Sequence, residues 1–186
     1  KREIRAKYQL PDHYILNVGS IEERKNALSA VQALTMLPEL IHLVIVGRHT
    51  EYTDKIERFI KENKLEERVH IISNVPFDDL PAFYQLAEIF VYPSRFEGFG
   101  IPIIEALYSG IPVVAATGSC LEEAGGPDSI YVHPDDIKGM ANAFKQIYSD
   151  TERKKEMIEK GQKFAKRFSE EKQAEEILNI YKKLMK

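Results

Sequence analysis

The chain has 186 residues, 44% of them hydrophobic and 30% charged, the size and balance of one globular domain with an appended helix. Its formal net charge of −3 excludes a global polycation for nucleic acid; its single cysteine, Cys120, excludes a disulfide framework or a multi-cysteine metal site and favours a reducing, cytoplasmic setting. No apolar run approaches the roughly 20 residues of a membrane span, and no amino-terminal stretch has the charged-then-apolar form of a signal peptide.

The chain does not begin with Met, and residues 1–10 read as the end of something longer, so the sequence is expected to be a piece of a larger protein. Beyond them, short runs rich in Val and Ile fall at 14–18, 42–46, 69–72, 89–92, 112–115 and 129–132. Most lack in-out alternation, which is the pattern of central strands covered on both faces. Segments of helical period lie between them. Ala27, Ala30, Val31 and Leu34 share one face; Ile56, Phe59 and Ile60 begin a second series; Ile137, Met140, Ala141, Phe144, Ile147 and Tyr148 carry a third over three turns. Alternating strands and helices predict an α/β fold, a doubly wound parallel sheet of about six strands with helices on both faces. Residues 1–150 form that domain. Residues 151–168 and 169–185 read as a helical tail, Ser169 being a candidate N-cap with Glu170 and Glu171 in the first turn. Ala174, Ile177, Leu178, Tyr181 and Leu184 line one face of the last helix and need a partner, either this domain or a missing one. The cations Lys160, Lys163, Lys166 and Arg167 read as a solvated helix face, or as a contact with anionic lipid.

Ligands of such sheets bind beyond the carboxyl ends of the strands, near helix N-termini that favour anions. Three loops are placed there. In Gly19-Ser20-Ile21-Glu22-Glu23-Arg24-Lys25-Asn26, two adjacent cations stand close to a helix start, where a dipole does not favour them. They serve either a bound phosphate or a solvated cluster balanced by Glu22 and Glu23. The spacing is neither a dinucleotide fingerprint nor a P-loop. In Val46-Gly47-Arg48-His49, Gly47 permits a close backbone approach and Arg48 can reach a phosphate or a base; a plain surface turn fits as well. The third loop runs from Pro93 to Glu105, with Pro102 suited to a first helical turn and Gly98 and Gly100 clearing side chains before it. That exposes amides for a diphosphate. Glu105, about one turn into the helix, suits a vicinal diol, and Glu97 can meet sugar hydroxyls or developing positive charge. Without this setting, both would read as surface carboxylates. Asp78 is a candidate cap for a helix after Pro76. The five histidines show no ligand spacing, and Cys120 has no paired base in view.

The Glu-x7-Glu element from Glu97 to Glu105, with Pro93-Ser94 before it and Gly98-Phe99-Gly100 inside it, resembles the signature of the group 1 retaining glycosyltransferases. The likeness extends from about Tyr14 to Pro134 and takes in Val18-Gly19 through Asn26 and Leu107 through Ala115. That resemblance implies one half of an enzyme built from two Rossmann-like domains (GT-B), the other half being the missing amino-terminal domain. It implies a nucleoside-diphosphate sugar, UDP- or GDP-linked, as donor, with no obligatory cofactor or metal. Glu105 would hold the ribose hydroxyls and Glu97 the donor sugar. Phe99, Gly100 and Ile101 would offer backbone to the diphosphate or sugar, Gly19, Ser20, Gly47 and Arg48 would line the nucleotide, and backbone near Asn74 and Val75 would meet the base. Lys25 falls on the family's phosphate-binding lysine and would act with Arg24 on the departing diphosphate. One departure is Ser20, where the family often has Arg; Arg24 would supply that charge. The expected whole protein transfers a sugar to an acceptor hydroxyl in polysaccharide or glycolipid synthesis, with a peripheral contact at the inner membrane face. The alternative is a non-catalytic nucleotide- or sugar-binding module. An NAD-dependent oxidoreductase would share the fold class, but the glycine fingerprint is absent.

Overall fold

The computed structural model describes residues 1–184, and for residues 170, 173, 176, 179 and 182–184 the backbone alone. One parallel sheet forms from β1 (Tyr14–Val18), β2 (His42–Val46), β3 (Val69–Ile72), β4 (Ile89–Tyr92), β5 (Val113–Ala116) and β6 (Ile130–Val132). Its spatial order is β3-β2-β1-β4-β5-β6, so the chain winds outward from β1 and then returns to start again at β4. Ile15 and Leu16 pair with Ile89 and Phe90 across that reversal. A sheet that reverses its winding opens a crevice above the carboxyl ends of the two strands at the reversal.

Successive strand residues feed two apolar layers. Ile15, Leu43, Ile45, Val91 and Val114 point to one, with α2 (Ala27–Leu34), α3 (Glu51–Glu62) and α7 (Ile137–Ser149). Tyr14, Leu16, Val44, Val46, Phe90, Tyr92 and Val113 point to the other. There they meet α4 (Leu80–Leu86), α5 (Ile101–Tyr108), α6 (Leu121–Gly125) and the partly buried Ile4 and Tyr8 of α1 (Arg2–Tyr8). Because both faces are covered, both alternating series are apolar, which is why the strands read as continuous hydrophobic runs. The helix stripes expected on α2 and α7 lie in the first layer, save that Ile137 and Tyr148 are only partly buried. α8 (Thr151–Ala165) gives Met157 to the first layer and Ala165 to the second.

Side chains fix several helix starts. Thr50 and Thr53 form a reciprocal capping box on α3, and Asp136 accepts from the Gly139 amide on α7. Asp150 accepts from the Arg153 amide on α8 at 2.8 Å. The cap expected of Asp78 falls one residue later, because Asp79 holds the N-cap position of α4 and makes no side-chain cap. Its carboxylate instead accepts from Lys7 Nζ at 2.7 Å and Tyr8 Oη at 2.6 Å, fastening α1 to the domain. β5 also starts one residue later than expected: Pro112 has no N–H to give a ladder, though its carbonyl accepts from the Phe90 amide at 2.9 Å.

The tail is α8, a 3₁₀ turn at Lys166–Phe168, and α9 (Glu170–Leu184). The Lys172 amide donates to Ser169 Oγ at 3.4 Å, in keeping with the expected cap. On α9 the apolar face stands in solvent: Ile177, Leu178 and Tyr181 are 53%, 57% and 60% exposed. Leu184 and Met185, assigned to the same helix, lie outside the described side chains.

One device of the sheet sets its response to acid. His42 on β2 and His70 on β3 stack at 5.3 Å with Nδ1 of the first 3.0 Å from Nε2 of the second. Burial lowers the pKa of both from the usual 6.5; Arg68 and His13 lower His42 further and His42 lowers His70, against a smaller opposing effect of Glu67. Groups with lowered folded values contribute full stability above the ordinary value and lose it as pH falls through the lowered one. The thermal midpoint is therefore expected to drop between about pH 7 and pH 5. His70→Gln should flatten that drop, measured by circular dichroism melts; an equally steep drop in the variant would exclude the pair as its source.

Candidate active site

The crevice at the β1–β4 reversal is bordered by the loop after β1 and the loop after β4. Two glycines let the first of these descend against β2. Gly19 donates to the Val46 carbonyl at 2.9 Å and Ile21 to that of Arg48 at 3.1 Å. A Cβ on Gly47 would stand 1.9 Å from the Gly19 carbonyl oxygen, so Gly47 is required by backbone packing whatever else it touches. Gly19 has φ +145°, and a Cβ there would meet Lys25 Nζ at 3.2 Å. Its bareness lets the Lys25 side chain lie back across the loop and into the crevice.

The two loops are then tied together. The Arg95 amide donates to the Arg24 carbonyl at 2.8 Å, and Ser94 Oγ lies 3.2 Å from the same oxygen. Asn26, buried and in the left-handed region at φ 55°, donates its amide to the Pro93 carbonyl at 3.3 Å and to the Pro134 carbonyl at 2.9 Å. One side chain thus joins the loops after β1, β4 and β6. On the far side, the Cys120 thiol donates to the Glu97 carbonyl at 3.2 Å, a structural use of the lone cysteine.

Glu97 is where these contacts converge. Its Oε1 accepts from Ser94 Oγ at 2.9 Å, Tyr92 Oη at 3.0 Å, Lys25 Nζ at 3.1 Å and Arg24 Nη1 at 3.4 Å. Burial would raise this carboxyl, but the hydrogen bonds from Ser94 and Lys25, with the Lys25 charge and Tyr92, outweigh it and hold the pKa below the usual 4.5. Lys25 is largely enclosed and Arg24 about half exposed. Arg24 also donates to Glu22 at 3.0 Å and to the Phe96 carbonyl at 3.1 Å.

α5 begins beside this cluster. Its N-cap, Gly100, has φ +104° and offers no side-chain cap, and Pro102 stands in the first turn. A Cβ on Gly100 would come 2.9 Å from Leu121 Cδ2, whereas one on Gly98 would meet nothing within 4 Å. Of the two glycines expected to clear the loop, Gly100 is demanded by packing and φ, and Gly98 opens onto free space. The amides of Gly100 and Ile101 have no backbone acceptor among the described residues, and the helix dipole adds positive potential there. Glu105 sits on the second turn, with Oε2 accepting from Tyr84 Oη at 2.7 Å.

The remaining expected residues ring the crevice with less definition. Ser20 is half-buried; its hydroxyl bond is the foremost cause holding the Glu22 carboxyl below its ordinary value, helped by Arg24. Arg48 is exposed, with no side-chain partner among the described residues. Val75 packs at the edge of the second layer after Asn74, which has φ 56°. Phe99 sets its ring edge-on to Phe168 at 5.6 Å, and Ile101 is 62% exposed. Among the described residues no group of three or more His, Cys, Asp or Glu could hold a metal.

The sequence motifs included Asn26 and Ser94 without giving either a role of its own, and they passed over Tyr84 and Tyr92 as site residues. A faint signal existed for the tyrosines: an apolar strand ending in Tyr92, and a helix with Tyr84 in its core stripe, bury hydroxyls that need partners.

Residues 1–164 match the family described as glycosyl transferases group 1. The chain belongs to that family. It is 33% identical over 183 residues to O-antigen chain mannosyltransferase B of Escherichia coli, covering 96% of this chain and 48% of that protein. Among solved structures, sucrose-phosphate synthase from Thermosynechococcus elongatus superimposes with TM-score 0.86 at 27% identity, over 100% of this chain and 49% of the other. The Anabaena protein HepE, solved with UDP and glucose, gives 0.87 at 20% identity over 97% of this chain and 51% of the other, a likeness of fold. The chain thus spans about half the length of these relatives. The fold of this group 1 chain is the Rossmann-like α/β sheet of the GT-B architecture.

The Lys25–Glu97 contact generates a direct test. In Lys25→Met the carboxyl keeps its burial and loses a leading opposing interaction, so its pKa should rise. Carbon-13 NMR titration of labelled glutamates should find Glu97 below 4.5 in the parent and higher in the variant. An unmoved titration would mean that Lys25 does not hold this carboxylate in solution.

Proposed function

We propose that this chain is the donor-binding half of a retaining glycosyltransferase, taking a nucleoside-diphosphate sugar and passing its sugar to an acceptor hydroxyl. The observation that carries the reading is the grouping of Glu97, Lys25, Arg24 and the uncapped start of α5 around one crevice at the β1–β4 reversal. A ligand that carries both phosphate and hydroxyls would engage both the anion-directed groups and the carboxylates. The UDP and glucose described with HepE are of that class. UDP- and GDP-sugars are the donors proposed, with no metal required.

The nucleotide lies along the loops that carry Gly19, Ser20, Gly47 and Arg48, with backbone at Val75 toward the base. Glu105 accepts from the ribose diol, and Phe99, Gly100 and Ile101 offer backbone to the diphosphate and sugar. In the transition state positive charge grows on the sugar ring and negative charge on the departing diphosphate. Arg24, Lys25 and the α5 dipole meet the second charge, and fixed donors of this kind act strongly where water is excluded. Lys25 begins on Glu97, so arrival of the diphosphate gives it a second anion and frees part of the Glu97 carboxylate for sugar hydroxyls. Ser20 contributes no charge here, and Arg24 takes that part.

Residues 1–150 make up the donor domain and residues 151–186 a tail whose last helix packs on the amino-terminal half of the full protein. The bare apolar face of α9 supports this. The acceptor binds on that other half, and the whole enzyme works on the cytoplasmic side, touching the inner membrane surface, in polysaccharide or glycolipid synthesis. Among the described residues no helix is long and apolar enough to cross a membrane.

Isothermal titration of the chain with UDP, GDP and ADP tests the donor reading. One diphosphate should bind, and Glu105→Ala should weaken it by about tenfold or more, the ~1.5–3 kcal/mol of hydrogen bonds to a charged group. Equal binding by parent and variant would remove Glu105 from the nucleotide. In the full-length protein Glu97→Ala should abolish transfer while leaving nucleotide affinity within a few-fold; a non-catalytic module would show no transfer to lose.

A further inference from the structure

Beneath the two glutamates lies a row of three buried aromatic rings. Tyr84 of α4 packs on Phe90 of β4 at 5.4 Å, and Phe90 on Tyr92 at 5.9 Å. The rings are 2%, 0% and 2% exposed. The hydroxyls at the two ends reach upward to different carboxylates, Tyr84 Oη to Glu105 Oε2 at 2.7 Å and Tyr92 Oη to Glu97 Oε1 at 3.0 Å. Tyr92 also accepts from Lys25 Nζ at 2.9 Å, which fixes the direction of its own proton toward Glu97. Tyr14, in the same layer, behaves differently: its hydroxyl donates to the Phe83 carbonyl at 2.6 Å and serves the fold.

Phenylalanine would fill the same space at 84 and 92 without the cost of burying a hydroxyl. Neither hydroxyl bonds to the backbone among the described residues, and the partners they do have belong to the site. The oxygens they leave untouched, Glu105 Oε1 and Glu97 Oε2, have no hydrogen-bond partner among the described residues, so each carboxylate is tied at one oxygen and open at the other. We infer that Tyr84 and Tyr92 are positioning residues for the nucleotide-sugar site. Tyr84 sets the open oxygen of Glu105 toward the ribose diol, and Tyr92 sets that of Glu97 toward the donor sugar. Burial, strengthened by the neighbouring carboxylates, keeps both phenols protonated well above the ordinary tyrosine range, so both remain donors.

This inference rests on the donor-binding reading, and the test separates the two. The 186-residue chain and its Tyr84→Phe and Tyr92→Phe variants are titrated with UDP and GDP, with their 2′,3′-dideoxy forms, and with UDP-glucose and GDP-mannose. The parent should prefer the ribonucleotide to the dideoxy form. Tyr84→Phe should cut that preference by about fivefold and leave the gain from the attached sugar unchanged. Tyr92→Phe should do the reverse, lowering the gain from the sugar by a similar factor at an unchanged ribose preference. Ratios cancel any shared effect on the diphosphate or on folding, and thermal melts confirm that each variant is folded. Tyr84→Phe added to Glu105→Gln should cost nothing further in ribose preference. Loss in equal proportion for every ligand would make the tyrosines merely structural and overturn the inference, as would unchanged ratios. A parent that binds UDP or GDP without preferring ribose would overturn it while leaving nucleotide binding intact. A parent that binds none of these nucleotides would bring down the donor-binding reading itself, and the inference with it.

Discussion

An enclosed carboxylate oxygen needs donors, and the donors around Glu97 Oε1 come from two places far apart in the chain, the loop after β1 and the end of β4 with the loop that follows it. Satisfying that one atom sets conditions on everything near it. The loop after β1 has to descend far enough for Lys25 and Arg24 to arrive, which requires Gly47 to lack a side chain beneath Gly19. β4 has to end on a residue with a hydroxyl, and the loop after it has to turn back through the buried Ser94. Asn26 closes the arrangement by holding three loops at once. Without those donors, burial would push the carboxyl toward its neutral form.

The sheet order is what makes such convergence possible. Because β1 and β4 are neighbours although separated by two complete strand–helix units, their following loops face each other across the crevice. The start of α5 stands on the same rim, and the second apolar layer holds it there through Ile103, Ala106 and Leu107. The cations, the carboxylates and the free amides of α5 are thus held on rigid elements, and the loops between them are short and tied.

The same packing logic explains what is left bare. Helices α2 and α7 bury their apolar faces in the first layer, while α9 carries a comparable face that the domain does not cover. Among the described residues, Ile177, Leu178 and Tyr181 leave an apolar patch exposed on that helix.

The strands, most of the helices and the position of the Glu97–Glu105 element were legible in the sequence alone. They depend on local periodicity, on glycine and proline placement and on a motif whose spacing survives in the linear chain. Boundaries were off by a residue where a proline or a competing contact intervened, as at Pro112 and Asp79. α1 was not foreseen, because its hold on the domain comes from Lys7 and Tyr8 meeting Asp79, 72 and 71 positions away. Tertiary structure alone decided that Lys25 rests on Glu97, that Gly47 is bare for the sake of Gly19, and that the hydroxyls of Tyr84 and Tyr92 belong to the site. The Tyr92–Glu97 bond spans only five residues, but the others join segments brought together by the tertiary fold, and periodicity, which repeats over a few residues, holds no record of that arrangement.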